Sequence, residues 1–294
     1  MKEKIWQKDV CYTILRAYTT ACARTCFRKM KFNGLEKIPA EGALIFASNH
    51  CCTMMDPMVL CCKSVDPLSF GARADIFRKP LVAKILRFIK MVPLARPHDG
   101  REAVLGNNAV FDEVVDVIEH GVPFCLYPEG THFPGYELHR LKTGASRIAL
   151  LATENYPKPV YIIPTGLIYS DFYDFMADVT INIGDPIEVH KGDTPPEVTA
   201  KLTERMTPLI YEPERKPVTG KWWKRILALL SLPLFALCAA ASSPILILTA
   251  ILARNLEDRA WINTVRFGCR YLFFVLWPFH CGFFLLLNFY KKLI

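Results

Sequence analysis

Between Ile226 and Leu252 the chain carries no charged side chain. About 20 apolar residues suffice for a helix to cross a hydrocarbon core, so a run of this length must enter a bilayer or a large protein core. It follows Lys221-Trp222-Trp223-Lys224-Arg225, aromatic and basic residues of the kind that anchor at a membrane interface. Pro233, Ser242-Ser243 and Pro244 interrupt it, which predicts a kink or tilt. A second apolar stretch, Tyr271 to Tyr290, has His280 as its weak point and ends at Lys291-Lys292. The pattern predicts a C-terminal transmembrane helical hairpin over 226–294, with spans at about 226–252 and 271–290. Lys221 and Lys292 then share one side, which the positive-inside rule makes cytoplasmic. The stretch 253–270, with Arg254, Arg259, Arg266 and Arg270, is also basic and weakens that vote. The rival is a buried helical hairpin of a soluble protein; the Trp, Tyr and basic flanks argue against it.

The rest of the 294 residues reads differently. Residues 33–211 alternate short apolar runs with helical patterns. Strands are expected at 43–46, 68–72, 122–127, 160–165 and 179–183, and helices at 57–63, 77–90, 101–120, 142–154 and 196–210. That alternation predicts an α/β domain, a mixed sheet flanked by helices. Residues 212–225, with Pro213 and Pro217, read as linker and interfacial anchor. Residues 1–32 read as one N-terminal amphipathic helix ended by Gly34. Its stripe runs through Ile5, Trp6, Val10, Ile14 and Tyr18, and its basic charge suits a membrane interface or a sheet face. Residues 1–10 lack a continuous apolar core, so they are not expected to act as a secretory signal.

Net charge is +8, which points to anionic lipid, phosphorylated substrates or nucleic acid. The apolar C-terminus favours the first two, and nucleic acid is not expected. The 11 cysteines show no CxxC pair and no zinc spacing, so no metal site is expected and they read as small apolar residues. A nucleophilic Cys51 or Cys52 is a minor alternative.

Five short motifs carry possible chemistry. Asn49-His50-Cys51-Cys52-Thr53-Met54-Met55-Asp56-Pro57 follows the buried run Ala43–Phe46. Asp56-Pro57 reads as a helix start, with Asp56 as N-cap and Pro57 first in the helix. His50 then lies in a strand-to-helix loop beside a carboxylate. That is either a general-base pair or a loop histidine near a cap. Pro128-Glu129-Gly130-Thr131 leaves the strand at Tyr127, and Gly130 lets the backbone approach a ligand. Met91–Ala95 ends at Arg96, a phosphate contact or a solvated surface arginine. Lys142-Thr143-Gly144 opens a helix whose amides suit an anion. Ile162-Ile163-Pro164-Thr165-Gly166 reads as a buried strand leaving the sheet at Pro164.

Taken in order, these motifs resemble the glycerolipid acyltransferase family, which includes 1-acylglycerol-3-phosphate and glycerol-3-phosphate acyltransferases. The resemblance covers about residues 30–205. It implies His50 as general base and Asp56 as its partner. It implies Arg96, Glu129, Gly130 and Thr131 as the acceptor site, with Lys142 helping at phosphate. Two departures stand out: Met55 occupies the usual acid position, one residue before Asp56, and His132 stands where the family often has Arg.

The expected reaction is acyl transfer from a thioester, acyl-CoA or acyl carrier protein, to a hydroxyl, with no bound cofactor. Lysophosphatidic acid is the first acceptor, ahead of glycerol 3-phosphate and other lysolipids or aminolipids. The catalytic domain is expected at the cytoplasmic face of an integral membrane protein in phospholipid synthesis. The rival from another class is a catalytically silent, membrane-anchored lipid-binding module.

Overall fold

The computed structural model describes the chain apart from residues 1–3, 8, 63–66, 96–99, 101, 103–105, 175, 215–221, 255, 274–275 and 292–294. Lys221, Lys292 and Pro217, on which the orientation and linker expectations draw, lie outside the described residues.

An eight-stranded mixed sheet organises residues 29–189. Its strands are β1 (Lys29–Asn33), β2 (Ala43–Ser48), β3 (Ser69–Arg73), β4 (Met91–Leu94), β5 (Phe124–Leu126), β6 (Val160–Tyr169), β7 (Asp178–Ile183) and β8 (Ile187–Val189). The order is β1-β7-β6-β2-β5-β3-β4, with β8 also on β6. Strands β6, β2, β5, β3 and β4 run parallel; β7 and β8 pair antiparallel to β6. Parallel strands need crossovers, and helices supply them. They are α2 (Met55–Cys61), α3 (Pro80–Phe88), α4 (Asn107–Glu119) and α5 (Gly144–Asn155), while α1 (Val10–Arg24) precedes the first strand and α6 (Pro195–Met206) follows the last.

Strand β2 is central and buried throughout. Successive side chains point to opposite faces. Ala43, Ile45 and Ala47 therefore join Val114, Ile118 and Ile148 of α4 and α5 and Leu202 of α6 on one face. Leu44 and Phe46 join Cys22, Val59 and Leu60 of α1 and α2 on the other. A fully buried Phe46 stabilises the fold by roughly 1.5–3 kcal/mol.

Several expectations need correction. The N-terminal helix covers Val10–Arg24 rather than 1–32. Asp9 accepts from Tyr12 N and fixes its start. Ile5 and Trp6 lie in a separate turn, where the buried Lys90 ammonium binds the Ile5 and Gln7 carbonyls. Residues 29–33 alternate exposed Lys with half-buried Met30 and Phe32, so they form an edge strand paired with β7. Gly34, at φ +79°, turns the chain after β1 and ends no helix. Strand β6 does not leave the sheet at Pro164 but runs on to Tyr169. On one side its partner changes there, from β8 at 160–162 to β7 at 165–169. The missing N–H of proline falls in that gap, and Pro164 O accepts from Gly184 N.

Three further helices follow: α7 (Trp222–Ala253), α8 (Ile262–Leu272) and α9 (Trp277–Lys291). One helix among the described residues is long and apolar enough to cross a membrane, over Ile226–Ala253. At about 1.5 Å per residue it exceeds the roughly 30 Å hydrocarbon core. Leu229 and Leu230 stand among its exposed leucines. Residues 271–290 are not the single helix expected, because α8 ends at Leu272 and α9 begins at Trp277. The 15 residues of α9 span about 22 Å and lie along α7. Phe283 stacks on Phe235, Tyr290 Oη bonds Ser231 Oγ, and Gly282 lets Cys238 approach. Helix α8 packs on the domain instead, with Phe267 in the α1–α2 face of the core.

Candidate active site

The C-terminal ends of β2, β5 and β6 meet at one edge of the sheet, where open α/β folds bind ligands. At the end of β2, Asn49 extends the pairing with β6 by one rung. Its Nδ2 donates to Leu167 O at 3.0 Å, and its Oδ1 accepts from Leu167 N at 2.6 Å. A buried amide that copies a peptide group fixes where the next residue points. That residue is His50.

His50 is held by its backbone and its ring. Its N–H donates to Glu129 Oε2 at 2.9 Å, and its carbonyl accepts from Phe133 N at 2.7 Å. The ring stacks on Tyr127, with centroids 4.2 Å apart, and meets His132 edge-on at 5.7 Å. Nδ1 lies 2.6 Å from Asp56 Oδ2. A carboxylate oxygen can only accept, so Nδ1 is the donor in this contact, and in the neutral ring Nε2 is the nitrogen with the free lone pair. No residue among those described bonds Nε2.

Asp56 is fully buried. It does not cap α2, which starts at Met55 with Met54 in the cap position. Pro57 thus sits inside the first turn, where a missing N–H costs nothing. The Asp56 carboxylate reaches back instead. Oδ2 also accepts from Cys51 N at 2.8 Å and Cys52 N at 2.9 Å, and Oδ1 accepts from Tyr169 Oη at 2.6 Å. Four donors converging on one carboxylate compensate its burial. Met55, in the position the family pattern gives to the acid, points into the core at 2% exposure. The loop of five intervening residues therefore closes the pair through Asp56, with Thr53 in the left-handed region at φ +46°.

Cys51 and Cys52 are buried, and burial pushes both thiols well above their ordinary range, with the Asp56 charge adding to it. A thiol held protonated is a poor nucleophile. These residues serve the site through their backbone N–H groups.

Glu129 is also buried, with Oε2 on His50 N and Oε1 on His139 N at 3.0 Å. Burial raises its pKa, and the two backbone N–H groups offset part of that rise. Both oxygens are engaged by backbone, so Glu129 ties the His50 loop to the loop after β5. Gly130, at φ +80°, turns that loop, and the Lys142 side chain passes 3.8 Å from where a Cβ would stand. Lys142 N donates to Pro128 O at 2.7 Å. Lys142 is exposed one turn before α5, and Thr131 is exposed on the same loop as Gly130. His50, Asp56, Glu129, Gly130, Thr131 and Lys142 thus gather around one edge. Arg96 lies outside the described residues. No group of three or more His, Cys, Asp or Glu among the described residues is arranged to hold a metal.

Sequence reasoning missed Tyr169, Tyr127, the clip made by Asn49, and Asp258. Tyr169 carried a signal, a tyrosine closing a long apolar run at the active edge. Asp258 carried none: it comes from the segment after α7 and meets His132 Nε2 at 2.5 Å.

Comparison with known proteins fits this geometry. Residues 29–168 match the family described as Acyltransferase. A protein of Mycoplasma pneumoniae named as a probable 1-acyl-sn-glycerol-3-phosphate acyltransferase is 25% identical over 119 residues, 39% of this chain. The match spans 42% of that relative's length. The crystal structure of PlsC, the 1-acyl-sn-glycerophosphate acyltransferase of Thermotoga maritima, superposes with a TM-score of 0.51 at 18% identity. The superposition covers 67% of this chain and 77% of that one, and shows a shared fold.

Proposed function

We propose, from the match of residues 29–168 to the acyltransferase family, that the chain is a glycerolipid O-acyltransferase that works with His50 as its base. The observation that carries the reading is the His50 Nδ1–Asp56 Oδ2 contact of 2.6 Å with Nε2 left open. In this mechanism Nε2 takes the proton of an acceptor hydroxyl as its oxygen attacks the thioester carbonyl. The C–S bond breaks, and the leaving thiolate takes the proton back from the imidazolium. Asp56 holds the tautomer and balances the charge. A thiol leaves readily, so no covalent acyl-enzyme is needed. Much of the rate comes from placing acceptor and donor against one base.

The acceptor we favour is lysophosphatidic acid. Lys142 and the amides at the start of α5 suit its phosphate, as do Gly130 and Thr131 on the adjoining loop. Arg96 and Glu129 complete the proposed set, Glu129 by shaping the loop. The donor is acyl-CoA or acyl carrier protein. The bilayer is the proposed partner of α7, whose exposed apolar length supports a membrane-bound enzyme; the cytoplasmic placement of its sheet domain is proposed from the basic flanks of the apolar runs alone. An acyl product then stays where it is made.

The test is acyl transfer from labelled acyl-CoA or acyl carrier protein by detergent-solubilised protein, with lysophosphatidic acid and glycerol 3-phosphate offered in parallel. His50→Ala and Asp56→Asn are expected to lose roughly 10²–10⁴-fold, the usual worth of a general base. Full activity in His50→Ala, or no transfer to either acceptor from either donor, would sink the reading.

A further inference from the structure

The segment that follows α7 returns to the catalytic edge and touches it at two places. Thr264 Oγ1, in the first turn of α8, shares a hydrogen bond of 2.7 Å with Thr53 Oγ1. Both side chains are buried. Thr53 lies in the loop between His50 and Asp56 and holds φ +46°. A β-branched residue is rarely left-handed, and it stays so only when its surroundings over-determine it. The hydroxyl pair is such a constraint. Next to it, Asn263 Nδ2 donates to Phe172 O at 3.0 Å, the same carbonyl that Cys52 Sγ approaches at 3.6 Å. At the second place, Asp258 Oδ2 meets His132 Nε2, and the His132 ring stands edge-on to His50. Asp258 also caps its own turn by accepting from Ala260 N.

We infer that the segment Asp258–Leu272 is a positioning element of the proposed acyl-transfer site. Thr264 sets the loop that lets Asp56 reach His50, and Asp258 sets the loop that carries His132. The inference rests on the acyl-transfer reading for its catalytic consequence, but not for its structural one. A loop one residue longer than the family pattern has one more pair of backbone torsions to fix. Thr264 supplies that restraint from outside the sheet domain. The C-terminal segment is then part of the working site as well as a link to α9.

The test uses the full chain in detergent. Thr264→Val (T264V) keeps the shape and deletes the hydroxyl; Thr264→Ser (T264S) restores it. In T264V, kcat is expected to fall roughly ten- to a hundredfold with the acceptor KM little changed, because misplacement of a base costs rate before affinity. T264S is expected to recover most of the loss. Independently of activity, amide exchange at Cys51 and Cys52, whose N–H groups bond Asp56, is expected to quicken about tenfold in T264V. Asp258→Asn changes a side chain that is 49% exposed and is expected to leave folding intact. There the Phe133 amide, which bonds His50 O, is expected to exchange several-fold faster. Should T264V fail to fold, the Asp258→Asn exchange decides alone. Wild-type protection in the folded variants overturns the inference whether or not transfer is seen. Absence of transfer by the wild-type chain counts against the acyl-transfer reading only.

Discussion

Tyr169 Oη donates to Asp56 Oδ1 at 2.6 Å while His50 holds the other carboxylate oxygen. Tyr169 is 2% exposed, and burial pushes its hydroxyl well above the ordinary range, with the Asp56 charge adding to it. It stays protonated and remains a donor. Removing it in Tyr169→Phe leaves a buried carboxylate oxygen without a partner, a loss of roughly 1–3 kcal/mol. We expect a lower Tm and a fall in kcat of about tenfold, the rate equivalent of that loss at its lower end. Unchanged kcat would show that the other three donors suffice to orient the carboxylate.

Glu129 gives a pH signature. Its folded pKa is raised above the ordinary 4.5, burial outweighing its two backbone donors. For an acid shifted upward, the contribution to stability is complete below the unfolded pKa. It is lost as pH rises through the folded value. The Tm of the wild type minus that of Glu129→Gln is therefore expected to shrink from about pH 4.5 upward. A difference that is flat or grows over that window contradicts the assignment.

The thiols beside His50 give a contrasting expectation. Cys51 and Cys52 contribute backbone N–H groups to Asp56, which any residue but proline supplies. Cys51→Ala and Cys52→Ala are each expected to keep kcat within about threefold, the loss being one of packing. Abolition of transfer by Cys51→Ala or Cys52→Ala, with the fold intact by circular dichroism, would revive a thiol mechanism.

Membrane attachment tests the outer face of α7. Leu234 and Leu237, deeper in the apolar run of α7, are 54% and 57% exposed. Lysine at a membrane-spanning centre costs roughly 2.5–3.5 kcal/mol by insertion scales. The double change Leu234→Lys and Leu237→Lys is expected to release the chain from carbonate-washed membranes. Retention equal to wild type would mean that α7 does not present this face to lipid.

How much was legible divides along physical lines. The continuous apolar run Ala43–Phe46 and the helical patterns after it are local signals, so the α/β class and the central strands followed from the residues in order. The uncharged run from Ile226 likewise made one long apolar helix unavoidable. Chain ends and edge elements were harder. Lys29–Asn33 has a helix-compatible composition, and only its pairing with Asp178–Ile183 makes it a strand. Pro164 looked like an exit, because the gap between β8 and β7 that receives it is made by residues 183–187, not by its neighbours in the chain.

The same division holds at the site. The sequence by itself determined that a histidine and an acid flank the loop after the apolar strand at 43–46, and that a Pro-Glu-Gly-Thr turn follows the strand ending at Tyr127. Only the tertiary structure decided which acid meets His50. Burial of Met55 in the core turns Asp56 back toward the loop, where four donors from two parts of the chain, residues 50–52 and Tyr169, compensate its charge. Tyr169 and Thr264 enter from 113 and 211 residues beyond the residues they hold, Asp56 and Thr53. No local pattern encodes such contacts. They arise when the sheet brings strand ends together and the segment after α7 packs back against them.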